Sequence, residues 1–101
     1  MFLGGLWDYE LSGIVANQQV ETPFSLQQGI WVFGPTGSSA YNPRDYHDCI
    51  YFMVKRSSHN GAIGIEIMSY SWYTFNPTYT NDRTLQFTTS LSGKVGFRRV
   101  L

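Results

Sequence analysis

In the segment Leu85-Gln86-Phe87-Thr88-Thr89-Ser90-Leu91, the residues Leu85, Phe87, Thr89 and Leu91 alternate with Gln86, Thr88 and Ser90. A period of two gathers the first set on one face of a β-strand and cannot do so on a helix. Trp7, Tyr9 and Leu11 alternate with Asp8 and Glu10 in the same way, so each segment reads as a strand with one dry face. Nothing in the chain competes with this pattern. Its only alanines are Ala16, Ala40 and Ala62, and no window repeats apolar residues at helical spacing beyond about two turns. The expected fold is all-β, a small antiparallel β-sandwich or β-roll.

The strongest local signal is a hairpin. Cys49–Arg56 and Ala62–Met68 are β-rich runs separated by Ser57-Ser58-His59-Asn60-Gly61, and Asn60-Gly61 tolerates the positive φ that a tight turn needs. Ile63, Ile65 and Ile67 share one face of the second arm, with Gly64 and Glu66 on the other. The first arm is apolar on both faces, as a central strand would be. By the same logic Ser92-Gly93 is expected to turn the Thr84–Leu91 strand into a hairpin partner at Lys94–Leu101, with Phe97 a core anchor paired to the strand of Leu85 and Phe87. Further strands are expected at Gly29–Phe33, near Ile14–Val20, and at Ser71–Phe75, the last ended by Asn76-Pro77. Pro35–Asp48 is rich in turn formers and too long for a tight connection, which marks it as a functional loop. No repeat, charge block or change of composition divides the chain. One domain over residues 1–101 is expected, with an N-terminal strand or arm in 1–25.

Composition narrows the function. The aromatic fraction is 17%, and the 17 rings are hard to hide in the core of a 101-residue chain, so some should meet a partner. Seven basic residues cancel seven acidic ones, and the basic residues do not cluster as phosphate-backbone binding requires. Nucleic acid is therefore not an expected partner, and so little self-repulsion favours association. The start at Met1-Phe2-Leu3-Gly4-Gly5-Leu6 lacks a positive charge and meets Asp8 too early for a signal peptide or a membrane span. The single Cys49 permits no intrachain disulfide and reads as a small buried thiol.

Candidate chemistry is sparse. Asp45, His47 and Cys49 would point one way from an extended segment, but with only His59 as a further histidine they match no structural zinc pattern, and no metal or cofactor is expected. Asp8 and Glu10 stand about 6–7 Å apart on one strand face, near the separation that glycosidases use. Such a pair is far more often the wet face of a strand. The chain has no Gly-rich phosphate loop, no Gly-X-Ser-X-Gly elbow and no His-Glu-X-X-His pair, and it is not read as an enzyme.

Gly29-Ile30-Trp31-Val32-Phe33, followed by a loop, the apolar run Cys49–Arg56, the strands Ala62–Met68 and Ser71–Phe75, and the closing Gly93-Lys94-Val95-Gly96-Phe97-Arg98-Arg99-Val100, resembles the pyocin-knob type of domain. Such domains lie towards the ends of tail fibres of bacteriophages and of phage-tail-like bacteriocins. The family's closing motif reads Gly-Trp-x-x-Trp-Arg-Lys-Leu or close to it. Lys94 stands here at its first tryptophan and Phe97 at its second, and the first 25 residues have no counterpart. The resemblance covers Gly29 to Leu101. It implies a homotrimeric fibre component of the virion, placed near the host-facing end, and it supplies no catalytic residue.

The expected partner surface combines the Pro35–His47 loop with the Trp72–Tyr79 segment, and Tyr41, Arg44, Trp72, Tyr73 and Tyr79 are its candidate residues. Alternation puts Tyr70 with Trp72 on one face and Tyr73 with Phe75 on the other, so that one pair is core and the other available. Exposed rings could stack on the C–H face of a sugar, with Asn76, Asn81 and Asp82 bonding its hydroxyls, or pack against a neighbouring subunit. Expected partners are a second copy, other virion proteins, or a host-surface glycan or protein. A chain that opens at Met1 without a fibrous stem also fits a capsid or tail decoration protein, and a carbohydrate-binding module is a third alternative.

Overall fold

A computed structural model of the chain describes residues 7–36, 48–79 and 84–101. Eight strands run through these residues: β1 (Tyr9–Ile14), β2 (Val20–Glu21), β3 (Gly29–Pro35), β4 (Ile50–Arg56), β5 (Ile63–Ile67), β6 (Phe75–Tyr79), β7 (Leu85–Thr89) and β8 (Gly93–Arg99). They form two antiparallel sheets, one of five strands in the order β1-β8-β3-β4-β5 and one of three in the order β2-β7-β6. The protein is an all-β fold in which the two sheets enclose one core.

That core is built on phenylalanine. Phe33, Phe52 and Phe97 project from the larger sheet and meet Phe75 and Phe87 from the smaller one. Phe33 stacks on Phe75 with ring centroids 4.1 Å apart, and Phe87 meets Phe97 edge-on at 5.7 Å. Offset and edge-on contacts of this kind add about 0.5–1.5 kcal/mol per pair to the area they bury. The period-two reading of β7 holds residue for residue, with Leu85, Phe87 and Thr89 buried and Gln86 and Thr88 only partly so.

The β4–β5 hairpin is present where the sequence places it. Its turn is closed by Ser57 N donating to Ala62 O at 2.7 Å and Gly61 N donating to Ser57 O at 2.9 Å, while Asn60 Oδ1 accepts from Ala62 N at 3.0 Å. β4 lies between β3 and β5 in the larger sheet, with Ile50, Phe52 and Val54 buried on its core face and Tyr51 and Met53 half-buried on the other.

Three expectations are corrected. β7 and β8 do not form a hairpin: they belong to different sheets, and β8 pairs with β1 and β3. The turn between them is an arch over the edge of the core. Leu91 in its middle is buried, and Gly93, with φ of 94°, redirects the chain at a value that L side chains rarely adopt. Phe97 is the fully buried anchor expected, yet its strand neighbours are Tyr9 and Phe33, and it reaches Phe87 across the sandwich. Ile14–Val20 is not a strand either. Gln18 N donates to Val15 O at 3.1 Å, and Asn17 sits at φ 66°, so the chain turns from one sheet to the other before pairing briefly at β2. Third, the strand along the aromatic stretch is β6, which runs over Phe75–Tyr79 instead of Ser71–Phe75, with Asn76 and Pro77 inside it. Proline is accommodated because β6 is an edge strand, where a missing N–H breaks no continuous ladder.

The segments that carry the resemblance, Gly29–Phe33 and Gly93–Val100, lie side by side, with Trp31 opposite Arg99 and Phe33 opposite Phe97. Gly96 faces the opposite side of this sheet from the core phenylalanines. A Cβ added there would come within 2.6 Å of the Trp7 ring, so only glycine lets the N-terminal indole lie on β8.

Candidate functional site

The connection from β5 to β6 crosses from one sheet to the other and carries the largest exposed apolar side chains. Met68 is 47% exposed, Tyr70 87% and Trp72 64%. Intervening residues hold the segment down. Ser69 Oγ accepts from Tyr51 N at 2.9 Å, Ser71 Oγ donates to Asp48 O at 3.1 Å, and Thr74 and Ser90 exchange backbone-to-hydroxyl bonds of 3.0 Å each. The anchored backbone thus fixes the rings that face outward.

Trp72 borders an open groove of about 590 Å³, lined also by Pro35, Ser90, Leu91, Ser92, Gly93 and Lys94. The β7–β8 arch supplies five of these residues. Its indole meets the Tyr73 ring edge-on, with centroids 5.0 Å apart. On the other side of the connection, Tyr70 and Asn76 border a smaller recess of about 190 Å³ that reaches Ile50 and Phe75. An apolar ring flanked by hydroxyls and an ammonium group suits a ligand with one C–H-rich face and a polar rim, such as a sugar, or a polar protein loop.

Tyr73 is a correction. It is only 3% exposed, and its hydroxyl donates towards the carbonyls of Phe33, at 3.0 Å, and Asp48. Burial, then the Cys49 thiol and the Asp48 carboxylate, push its phenol far above the ordinary range. It is a core pillar that no partner reaches. The alternation of Tyr70 and Trp72 against Tyr73 and Phe75 nevertheless sorts exposed from buried as the sequence suggests.

Tyr79 is half-buried. Its hydroxyl accepts from Leu26 N at 3.2 Å, and burial raises its pKa against the opposing effects of the Leu26 backbone and Arg56. It ties β6 to the loop between β2 and β3. Tyr41 and Arg44 lie outside the described residues, as do Asn81 and Asp82. Pattern reasoning missed Ser90, Ser92 and Lys94. Nothing local marks them, since they reach Trp72 only through the arch.

The other candidate chemistry stays apart from the groove. Asp8 Oδ2 accepts from Arg99 N at 2.7 Å, which ties β1 to β8, and Glu10 Oε2 accepts from Thr36 Oγ1 at 3.4 Å, just past the end of β3. Cys49 is a buried free thiol whose pKa is pushed up to about 12, first by burial and then by Asp48, with Tyr73 partly offsetting them. Asp45 and His47 lie outside the described residues, among which no three His, Cys, Asp or Glu side chains gather as metal ligands. No helix among the described residues is long and apolar enough to cross a membrane. No family model, no curated protein and no solved structure matches the chain.

Proposed function

We propose that this chain is a non-catalytic recognition domain, the knob of a phage tail fibre or a related virion component, and that its Trp72 groove takes a saccharide of the host surface. The observation that carries the reading is a tryptophan 64% exposed above a groove walled by Ser90, Ser92 and Lys94. Exposing that ring to water leaves its apolar area uncovered, and a sugar's C–H face would cover it while the hydroxyls and the Lys94 ammonium bond the sugar's rim. Lys94 favours an acidic saccharide over a neutral one. The side-by-side placement of Gly29–Phe33 and Gly93–Val100 supports the fibre-knob reading, because these segments carry the resemblance and build the strands from which the groove rises.

The test is binding of the purified domain to host cells and to an array of bacterial surface saccharides, with Trp72→Ala and Lys94→Gln alongside. Loss of binding in Trp72→Ala, with the β-sheet circular dichroism unchanged, is expected. Undiminished binding in that variant would move the contact surface elsewhere.

A further inference from the structure

We propose that a recess at the opposite end of β8 from the Trp72 groove is a second binding site, which takes one unit of a neutral saccharide. It has a volume of about 430 Å³ and is lined by Asp8, Tyr9, Gln27, Trp31, Arg98 and Arg99. None of these residues borders the Trp72 groove. Lys94 in that groove and Arg99 here stand five residues apart on one strand, about 17 Å, so the two sites are separate.

The floor of the recess is aromatic and held in place. Trp31 is 3% exposed, and its Nε1 donates to Gln27 O at 2.9 Å. Tyr9 stacks on Phe24 with centroids 4.1 Å apart, lies near-parallel to Trp31 at 6.2 Å, and remains 36% exposed. An aromatic surface fixed from beneath and open to water at its rim suits the C–H surface of a pyranose.

The polar wall comes from strand ends. Asp8 precedes β1 and is positioned by its Oδ2, which accepts from Arg99 N at 2.7 Å. Arg99 ends β8 opposite Trp31, and its guanidinium lies over Gly29. A Cβ added to Gly29 would come within 2.6 Å of Arg99 Nε and 3.2 Å of Nη2, so glycine at this position is what makes room for the guanidinium. The alternation of β8 turns Arg98 to the other face of the sheet, which leaves one carboxylate and one guanidinium at the recess. Among the described residues, no hydrogen bond or ion pair engages the Arg99 guanidinium, Asp8 Oδ1, the Gln27 side-chain amide or the Tyr9 hydroxyl.

This pairing selects the ligand. A carboxylate only accepts and a guanidinium only donates, so together they match two adjacent hydroxyls, one donating to Asp8 and the other accepting from Arg99. Gln27 offers both functions to a third hydroxyl. A phosphate or an acidic sugar would meet the Asp8 carboxylate, which distinguishes this site from the groove where Lys94 favours an acidic saccharide. One sugar unit held this way binds too weakly to retain a cell by itself, so the site adds to the contact at Trp72 without replacing it.

Titration of the isotope-labelled chain with methyl glucoside, methyl mannoside and methyl galactoside tests the site, because the indole N–H resonances of Trp31 and Trp72 report the two sites separately. Saturable movement of the Trp31 signal is expected with at least one glycoside, and Trp72→Ala should leave that response unchanged. Asp8→Asn, which keeps an oxygen for Arg99 N, and Arg99→Gln should each weaken binding about tenfold or more. Both side chains are exposed, so the circular dichroism of the variants should match that of the parent. A Trp31 signal that stays still in all three titrations, parent-like affinity in either variant, or tighter binding at Trp31 of glucuronic acid or free glycine than of any glycoside would overturn the proposal.

Discussion

The phenylalanine core and the β5–β6 connection are both aromatic, but they solve opposite problems. Between the sheets, Phe33, Phe52, Phe75, Phe87 and Phe97 offer rings without polar atoms, and each is at most 5% exposed. On the connection, Tyr70 and Trp72 carry a hydroxyl and an indole N–H and are left largely in water. A buried phenylalanine leaves no donor to satisfy, whereas an exposed tyrosine or tryptophan offers both an apolar ring and a polar tip at the surface. The chain thus sorts its rings by chemistry, and Tyr73 marks the boundary, since it is buried only because two carbonyls accept from its hydroxyl.

Truncation should separate the two populations most sharply at Phe97. Phe97→Ala opens a cavity where β8 meets both sheets, and a loss of about 3–5 kcal/mol is expected, enough to unfold much of the population. Chemical denaturation checks this; an unchanged midpoint would mean the ring is not a core anchor. Tyr73→Phe probes the boundary. It keeps the ring and removes the bonds to Phe33 O and Asp48 O, for an expected cost of about 1–2 kcal/mol in the same assay.

Alkaline pH offers a gentler probe of the same corner. The folded Cys49 pKa lies above its unfolded value, so the neutral thiol's contribution is complete below about pH 9 and is lost as pH rises towards 12. Stability should fall over that window, less steeply in Cys49→Ala, and thiol reagents should leave Cys49 unmodified in the native state at pH 8. The smallest effect belongs to the exposed set. Trp72→Ala should change stability by no more than about 0.5 kcal/mol while abolishing binding, and a large loss of stability would show that the ring is structural after all.

How much of this was legible depends on whether the information is local. The dry face of β7 and the β4–β5 hairpin follow from residue types within a few positions, and both are as expected. Ser92-Gly93 predicts a hairpin and an arch equally, because Gly93 supplies the same positive φ to either. What separates them is the buried Leu91, which points between the sheets and is specified only by the other layer. Pro77 signals a strand end locally, and its tolerance inside β6 depends on β6 having one neighbour, a property of strand order. The groove combines both kinds. Trp72 was found as an aromatic in a rich stretch, but Ser90, Ser92 and Lys94 join it only after the chain has passed twice between sheets. The core position of Tyr73 is not local information, because it depends on the carbonyl acceptors of Phe33 and Asp48, far away in sequence.

The pairing of β1 with β8 has a mechanical consequence. Tyr9 stands opposite Phe97, and Asp8 holds Arg99 N at 2.7 Å, so the start of the first strand and the end of the last lie at the same end of one antiparallel pair. Tension applied through both ends would load the ladder one bond at a time, opening it like a zipper at low force. Tension borne through one end alone, with the load returned through the bound face, would instead pull along β1 or β8 and share the force over many bonds. The same sandwich is therefore weak as a link in a chain and strong as a terminus.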